Sequence, residues 1–228
     1  MNLIWAVGMF LLTISVFAVM RLFYQKYHYP LFVPIATTSF IIIVALLAFN
    51  IPYERYMMGG SWIGELLGPA VVALAYPLYQ NKDILKKYSI PVFVGVFVGS
   101  TIAILSGLWL SLLFKIDTEI LLSLIPKNVT TPIAMDLAEM SGGVPTLAAV
   151  FVMVAGVGGA MFGPTILKMV KVNHYIGVGV AFGTASHGIG TARALEFGPK
   201  EGAISSIAMI LSALYTAIVC PLFIQLFL

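Results

Sequence analysis

Long stretches without a charged residue constrain the fold of this chain more than any other feature. These runs occupy 1–20, 29–53, 66–81, 88–114, 140–167, 172–192 and 202–228. Most of them are long enough, at about 1.5 Å of rise per helical residue, to cross a hydrocarbon layer of about 30 Å. Because the runs lack the period-two alternation of a membrane β-barrel, we predict membrane-spanning helices.

Composition supports the same class. The 228 residues are 61% hydrophobic and 9% charged, with a mean hydropathy of +1.04, which is far from the composition of a soluble domain. No basic segment precedes the first run and no small-residue cleavage pattern follows it, so we expect a retained helix. A single cysteine, Cys220, excludes a disulfide within the chain and a cysteine metal cluster. The net charge of +3 is explained by basic loops and predicts no nucleic-acid partner.

The basic residues predict an orientation. If the N-terminus lies outside, Arg21 and Lys26 fall in the first inner loop and the lysines of 82–87 in the second, whereas Arg55 falls in an outer loop. An excess of Lys and Arg marks the inner side of a membrane. Since Lys168 and Lys171 must also reach the inside, the run before them has to begin outside. The segment at 119–142 is then left to enter and leave on the outer side, as a re-entrant hairpin.

The sequence of this segment, "SLIPKNVTTPIAMDLAEMSGGVP", is divided into two short helical pieces. Pro126 ends the first piece. Thr131 is the predicted N-cap of the second, with Pro132 at its first position, and Gly142–Gly143 ends it. Pro145 opens the next helix.

A second hairpin follows at an offset of fifty-seven residues. "AMDLAEMSGG" at 134–143 aligns with "TARALEFGPK" at 191–200, which places Glu139 on Glu196 and Asp136 on Arg193. We predict that a helix from about 174 breaks at Ser186–Gly190. It then returns as a short helix from about 190 to 197 and ends at Gly198–Pro199.

The predicted fold class is therefore an all-α integral membrane protein with six full crossings and two broken-helix hairpins. Residues 1–228 form a single membrane domain, in which 1–115 act as a scaffold and 119–170 and 174–228 are inverted copies. Pairs of glycines at fourfold spacing are predicted to let helices approach closely. The pairs are Gly95 and Gly99, Gly159 and Gly163, and Gly179 and Gly183.

The two breaks are the predicted binding site. A helix that begins at mid-membrane directs free N–H groups and a positive dipole end to the centre, where a small carboxylate would bind. Gly188 and Gly190 would permit a non-helical backbone, and Arg193 would contact a carboxylate oxygen. Hydroxyl groups would form the rim of this site, from Thr130, Thr131, Ser186 and Thr191.

Two alternatives remain open for the charged residues. Arg193 lies three residues before Glu196, so an ion pair within that helix is as well supported as contact of Arg193 with the ligand. Asp136 and Glu139 have the same spacing in the other hairpin. These charges would neutralise one another across the hairpins, or one acid would carry a co-transported proton. His187 is either a structural histidine or a proton-coupling group. Na⁺ is a second possible coupling ion, bound by carbonyls of an unwound segment.

Enzymatic chemistry is not expected. Ser186 and His187 are adjacent, which is not the geometry of a catalytic triad, and no acid orients the histidine. The sequence contains no metalloprotease motif and no nucleotide-binding loop, so no cofactor is predicted. Transport would have to use ion gradients or facilitated diffusion.

Three stretches resemble the LrgB/CidB membrane protein family. They are "LIPKNVTTPIAM" at 124–135, "GTASHGIGTARALE" at 183–196 and "PAVVALAYPLY" at 69–79. The similarity runs essentially end to end, and the "TTPIA" and "AYPLY" versions are nearest to the YohK-like bacterial branch.

The resemblance implies two functions. The bacterial family is named for control of murein hydrolase export and autolysis, usually beside a small holin-like LrgA/CidA partner. Relatives are connected to pyruvate uptake, and the plastid relative transports glycolate and glycerate. Because only about sixty residues precede the third helix, no fused LrgA-like part is expected, and a separate LrgA-like protein is the expected partner.

Both lines of inference meet in one ligand class, because pyruvate, glycolate and glycerate are small monocarboxylates. Their C2 oxygen requires a further polar contact, for which Asn128, Thr131, Ser186 and His187 are candidates. We therefore predict an elevator-like monocarboxylate transporter or channel in the bacterial inner membrane, which we expect to be a homodimer. The rival prediction is a regulator of autolysis that acts with the LrgA-like protein and has no substrate.

Overall fold

Helices make up the regular structure of the computed structural model, which describes residues 2–27, 32, 34–66, 69, 72–73 and 75–227. We number them in chain order as α1 (Asn2–Tyr27), α2 (Pro34–Ala48), α3 (Tyr53–Glu65), α4 (Ala75–Gln80), α5 (Lys82–Lys87), α6 (Ser89–Leu113), α7 (Thr118–Leu124), α8 (Thr131–Ser141), α9 (Pro145–Met169), α10 (Tyr175–Phe197) and α11 (Pro199–Phe227). No strand occurs within these described ranges.

In the part of the chain that the structure describes, four helices are long and apolar enough to cross a membrane: α1 from Leu3, α6, α9 and α11. They present large apolar side chains such as Trp109, Val154 and Ile218 on their outer surfaces, as lipid contact requires. The chain is thus a multi-pass helical membrane protein. The other two predicted crossings differ, because α2 has only fifteen residues and the run at 66–81 lies partly outside the described residues.

Residues 1–72 form one compact unit, in which α1 packs against α2 and α3. The backbone of Gly59 in α3 lies against Ala6, and an added Cβ would stand 2.9 Å from the amide nitrogen of Phe10. Arg55 is not in a loop, as the sequence predicted, but in the first turn of α3. The reason is that Asn50 adopts a φ of 50°, which ends α2 early and lets Pro52 cap a new helix.

Residues 73–228 form the second compact unit. At its centre lies the first arm of α10, the part that precedes a turn at His187. The predicted glycine pairs surround that arm. On one side, Gly95 and Gly99 of α6 face Val180 and Thr184 of α10. On a second side, Gly159 and Gly163 of α9 face Ser186 and Phe182 of α10. On a third side, Gly179 and Gly183 of α10 lie against Ile204 and Ser205 of α11. The predicted role of these glycines in helix packing is confirmed.

The first hairpin consists of α7, a loop at 125–130 and α8, and its ends largely match the prediction. Gly142 ends α8 with a φ of 86°, and Pro145 begins α9. The predicted N-cap was wrong by one residue, since Thr130 caps α8 and Thr131 is its first helical residue. Both are threonines, so local sequence does not distinguish them.

The second hairpin is α10, whose backbone turns back at His187 with φ 40° and ψ −128°. After the turn, Gly190 lies on the carbonyl oxygen of Phe182, and Ala194 joins a buried cluster with Val178 and Phe182. Residues so distant in sequence meet only if the helix folds back. The predicted break is confirmed, but Gly188 and Gly190 retain helical dihedral angles, so the predicted non-helical backbone at these glycines is wrong. The division into a scaffold and inverted copies stays a prediction.

Candidate functional site

The turns of the two hairpins lie on one face of α11. We call residues 125–130 the first tip and 186–191 the second tip. In the first tip, the Nδ2 of Asn128 lies 3.4 Å from both the Ser212 and the Thr216 hydroxyl oxygens. In the second tip, the Thr191 hydroxyl lies 2.9 Å from that of Ser205. The two tips therefore meet α11 about two turns apart, near its middle.

One residue of α9, Val152, contacts both tips. The carbonyl oxygen of Val152 accepts a 2.9 Å hydrogen bond from Nε2 of His187. The Val152 side chain belongs to a buried cluster that includes Val129 of the first tip and Ala134 of α8. A movement of either tip therefore changes contacts of the same turn of α9.

Several features of the two hairpins repeat at the predicted offset of fifty-seven residues. Thr130 and His187 stand at the start of the two short helices. Gly156, against which the His187 ring packs, corresponds to Ala213, which shares a buried cluster with Val129. Pro164 inside α9 corresponds to Pro221 inside α11. The offset thus also relates one proline and one small residue of α9 to positions in α11.

The first tip contains polar atoms without partners. Asn128 is 2% exposed, and its Oδ1 accepts no hydrogen bond from any described residue. The hydroxyl of Thr130 is buried and equally unpartnered, and it forms no capping bond to α8. Thr131, half-buried, follows at the first helical position. Buried polar groups are normally satisfied, so unpartnered atoms at a helix N-terminus make the first tip a candidate for ligand contact.

The second tip is more fully bonded. Ser186 is 1% exposed and faces Gly159, while His187 donates to Val152. Thr191 donates a 2.8 Å hydrogen bond to the carbonyl oxygen of His187, which fixes the turn. Gly188 is exposed, with the sulfur of Met209 3.9 Å from where its Cβ would be. Hydrogen bonds therefore hold the backbone of the second tip in place, and the His187 ring is its one titratable side chain.

The predicted charged residues lie apart from the tips. Arg193 and Glu196 form an ion pair within α10, which is the internal pairing that the sequence left open. Asp136 and Glu139 are exposed on α8, more than a turn from its start. The structure therefore places Asn128 and Thr130 in the first tip and Ser186, His187 and Thr191 in the second, each tip against α11, whereas the four charged residues lie outside both tips.

One residue escaped the sequence analysis. Lys127 of the first tip is half-buried, and its ammonium donates a 2.8 Å hydrogen bond to the carbonyl oxygen of Ala103 in α6. A lysine inside a predicted re-entrant loop was the available signal, since a cation at membrane depth is a functional candidate by default.

These features define a class: a multi-pass helical membrane protein in which two hairpin turns contact the same long helix. The chain belongs to the LrgB-like family, whose model matches residues 13–226. It is 43% identical to YxaC of Bacillus subtilis over 222 residues, which are 97% of this chain and 96% of that protein. It is 39% identical to YwbG of the same organism over 210 residues, covering 92% and 93%.

A further relative carries a more descriptive name. The holin-like protein CidB of Staphylococcus epidermidis is 36% identical over 222 residues, 97% of each chain. No solved structure matches this chain. The similarity places the chain in a bacterial membrane protein family and leaves its substrate to be argued from the site.

Proposed function

We propose that the chain transports small monocarboxylates of the pyruvate, glycolate and glycerate class across the bacterial inner membrane. The observation that supports this most is that both hairpin tips contact the same face of α11 and that each precedes a short helix. A carboxylate at the start of α8 would accept hydrogen bonds from the free N–H groups of that helix, and the positive end of the helix dipole would stabilise its charge. The unpartnered Asn128 Oδ1 would accept from the C2 hydroxyl group of glycolate or glycerate, and the Thr130 hydroxyl would donate to the C2 oxygen of pyruvate.

The mechanism we propose is elevator-like. Asn128, Ser186, His187 and Thr191 are buried, so the described form is closed around the tips. Exchange of substrate would then require the hairpins to move against a scaffold. The repeated features at an offset of fifty-seven residues support an inverted repeat, in which each side opens by an equivalent movement.

Ion coupling is part of the proposal. Because a carbonyl oxygen only accepts, the His187 ring carries its proton on Nε2 and has Nδ1 available for a second proton. His187 is therefore the favoured carrier of a co-transported proton, ahead of the exposed Asp136, Glu139 and the paired Glu196. Coupling to Na⁺ is the alternative, and the same assay separates the two.

The assay is uptake of radiolabelled glycolate and pyruvate into proteoliposomes that contain this protein, with an inward gradient of either H⁺ or Na⁺. We expect the gradient to stimulate uptake. Unlabelled glycolate should compete with the labelled substrate and reduce its uptake, whereas the neutral glycolamide should not. Liposomes without protein are the control. A lack of uptake both by the protein alone and after co-reconstitution with an LrgA-like protein would contradict transport.

The second candidate is control of murein hydrolase export and autolysis with an LrgA-like partner. The name of the CidB relatives, holin-like protein, is the observation that favours it. Deletion of the gene separates the two candidates, because loss of transport should alter growth on glycolate or pyruvate. A regulator would change lysis alone. The homodimer and the LrgA-like partner are proposals that cross-linking in membranes would test.

A further inference from the structure

Lys127 places an ammonium group deep within the second unit. Its Nζ lies 2.8 Å from the carbonyl oxygen of Ala103, which is ten residues before the end of α6 at Leu113. At about 1.5 Å per residue, this point is about 15 Å from the end of the helix, which is half the thickness of a hydrocarbon layer. The charge therefore lies near the middle of a membrane-spanning helix.

The surroundings give this charge no counter-ion. Among the described residues, no carboxylate forms an ion pair with the Lys127 ammonium, and the Arg193–Glu196 pair does not involve it. The nearby parts of α6, α7 and α11 contribute to a buried apolar cluster of Ile104, Leu108, Leu121, Ile125 and Cys220. Gly107 leaves the space that the ammonium occupies, since an added Cβ would stand 2.8 Å from Nζ.

An unpaired charge in such a place is unfavourable unless an anion joins it. The adjacent residue, Asn128, is 2% exposed and has an unpartnered Oδ1, and α8 begins three residues later. An ammonium, a free amide oxygen and a helix N-terminus thus belong to a single loop. A ligand with a carboxylate and a neighbouring hydroxyl complements all three.

We infer that Lys127 supplies the positive charge that neutralises the carboxylate of the substrate at the first tip. The inference rests on the proposed transport of monocarboxylates and identifies the residue that selects an anion. The four-carbon side chain allows the ammonium to exchange the Ala103 carbonyl for the carboxylate. That carbonyl also accepts a 2.9 Å bond from the Ser106 hydroxyl, so it keeps a partner when Lys127 leaves.

The first test is thermal unfolding of the purified protein in detergent, with and without glycolate. Lys127→Met removes an unpaired buried charge, so its Tm without anion should equal or exceed that of the wild type, and the upward shift with glycolate should be lost. Lys127→Arg should keep the shift. Lys168→Met, at an exposed lysine of α9, is the matched control. A Lys127→Met protein with lower Tm and an intact glycolate shift would assign Lys127 a structural role and overturn the inference.

The second test restores the charge chemically and measures uptake. Lys127→Cys is made with Cys220→Ser, which removes the single native cysteine. We expect glycolate uptake to fall at least about tenfold, as for the loss of a charge-assisted hydrogen bond. An aminoethyl methanethiosulfonate should restore uptake, whereas the neutral methyl reagent should not. Restoration by both reagents would overturn the inference.

The outcomes separate the inference from the function on which it rests. Wild-type uptake with unchanged uptake by Lys127→Met would leave transport in place and remove Lys127 from the site. Absence of wild-type uptake under all conditions would remove both.

Discussion

The Nε2 atom of His187 lies 2.9 Å from the carbonyl oxygen of Val152, at the residue where the backbone of α10 reverses with a φ of 40°. This dihedral region is unfavourable for a residue with a Cβ, so the contact with α9 helps to hold a conformation that local sequence would avoid. The Thr191 hydroxyl stabilises the same turn through the His187 carbonyl oxygen. Side chain and backbone of one residue thus connect the second hairpin to α9.

The first prediction concerns this dihedral angle. At an ordinary helical position alanine is more stable than glycine by about 1 kcal/mol. At residue 187 the order should be reversed, because glycine adopts a positive φ without strain. We expect His187→Gly to have a higher Tm in detergent than His187→Ala.

Ala185, an exposed residue of the regular helix two positions earlier, is the control. Ala185→Gly should lower the Tm, by the usual difference in helix propensity. If His187→Ala proves more stable than His187→Gly, α10 continues through this residue and the second hairpin does not exist.

Two glycines after the turn provide a matched pair. A Cβ at Gly190 would lie 2.5 Å from the Phe182 carbonyl oxygen and from the Ser186 Cβ, whereas a Cβ at Gly188 would meet nothing closer than the Met209 sulfur at 3.9 Å. Gly190→Ala should therefore destabilise the protein by about 1–3 kcal/mol, as overpacking does. Gly188→Ala should be neutral or slightly stabilising.

Thermal unfolding in detergent measures both variants, and glycolate uptake gives the functional counterpart. Equal Tm values for the two variants would show that the arms of the hairpin are not in contact at this point.

Sequence predicted the ends of both hairpins because glycine and proline act locally. Gly142, Pro145 and Pro199 end or begin helices through their own backbone properties, without help from distant residues. The position of the second break was predicted only to within five residues. His187, not a neighbouring glycine, takes the positive φ, and it does so beside a carbonyl group of α9 that sequence does not place there.

Lys127 escaped prediction for a related reason. A lysine between a proline and an asparagine is typical of an exposed loop, and its burial depends on Ala103 and Gly107, about twenty residues earlier. The unpartnered oxygens of Asn128 and Thr130 also depend on how α11 packs against the first tip. Long-range packing, which local sequence does not specify, thus determined which polar groups of the first tip are buried without a partner.

The contact between α9 and the second tip supplies the next prediction. A Cβ at Gly159 would collide with the Ser186 hydroxyl oxygen and would lie 2.8 Å from its Cβ, whereas a Cβ at Gly158 would meet nothing within 4 Å. Gly159→Ala should lower the Tm and reduce glycolate uptake, because it displaces the residue before the turn. Gly158→Ala should raise the Tm slightly through helix propensity.

A second substitution identifies the cause. Ser186→Gly removes both short contacts and leaves only the Ser186 Cα at 3.9 Å from the new Cβ. The double variant should therefore be more stable than the sum of the single changes predicts, as expected for residues in contact. Strict additivity would show that Gly159 acts through some other neighbour.

The last prediction separates stability from function at the first tip. Thr130 caps α8 without a side-chain hydrogen bond, and its buried hydroxyl has no partner among the described residues. Replacing a bonded N-cap threonine usually costs about 1 kcal/mol, but Thr130→Val retains the shape and removes only an unsatisfied group. Its Tm should equal that of the wild type or exceed it, because burying an unpaired hydroxyl is itself unfavourable.

Under the proposed function the hydroxyl finds its partner in the ligand, so glycolate uptake should fall several-fold in Thr130→Val and persist in Thr130→Ser. A Thr130→Val protein that unfolds at a lower temperature and takes up glycolate normally would make Thr130 a structural cap, and the first tip would then lose one of its two unpartnered oxygens as a ligand contact.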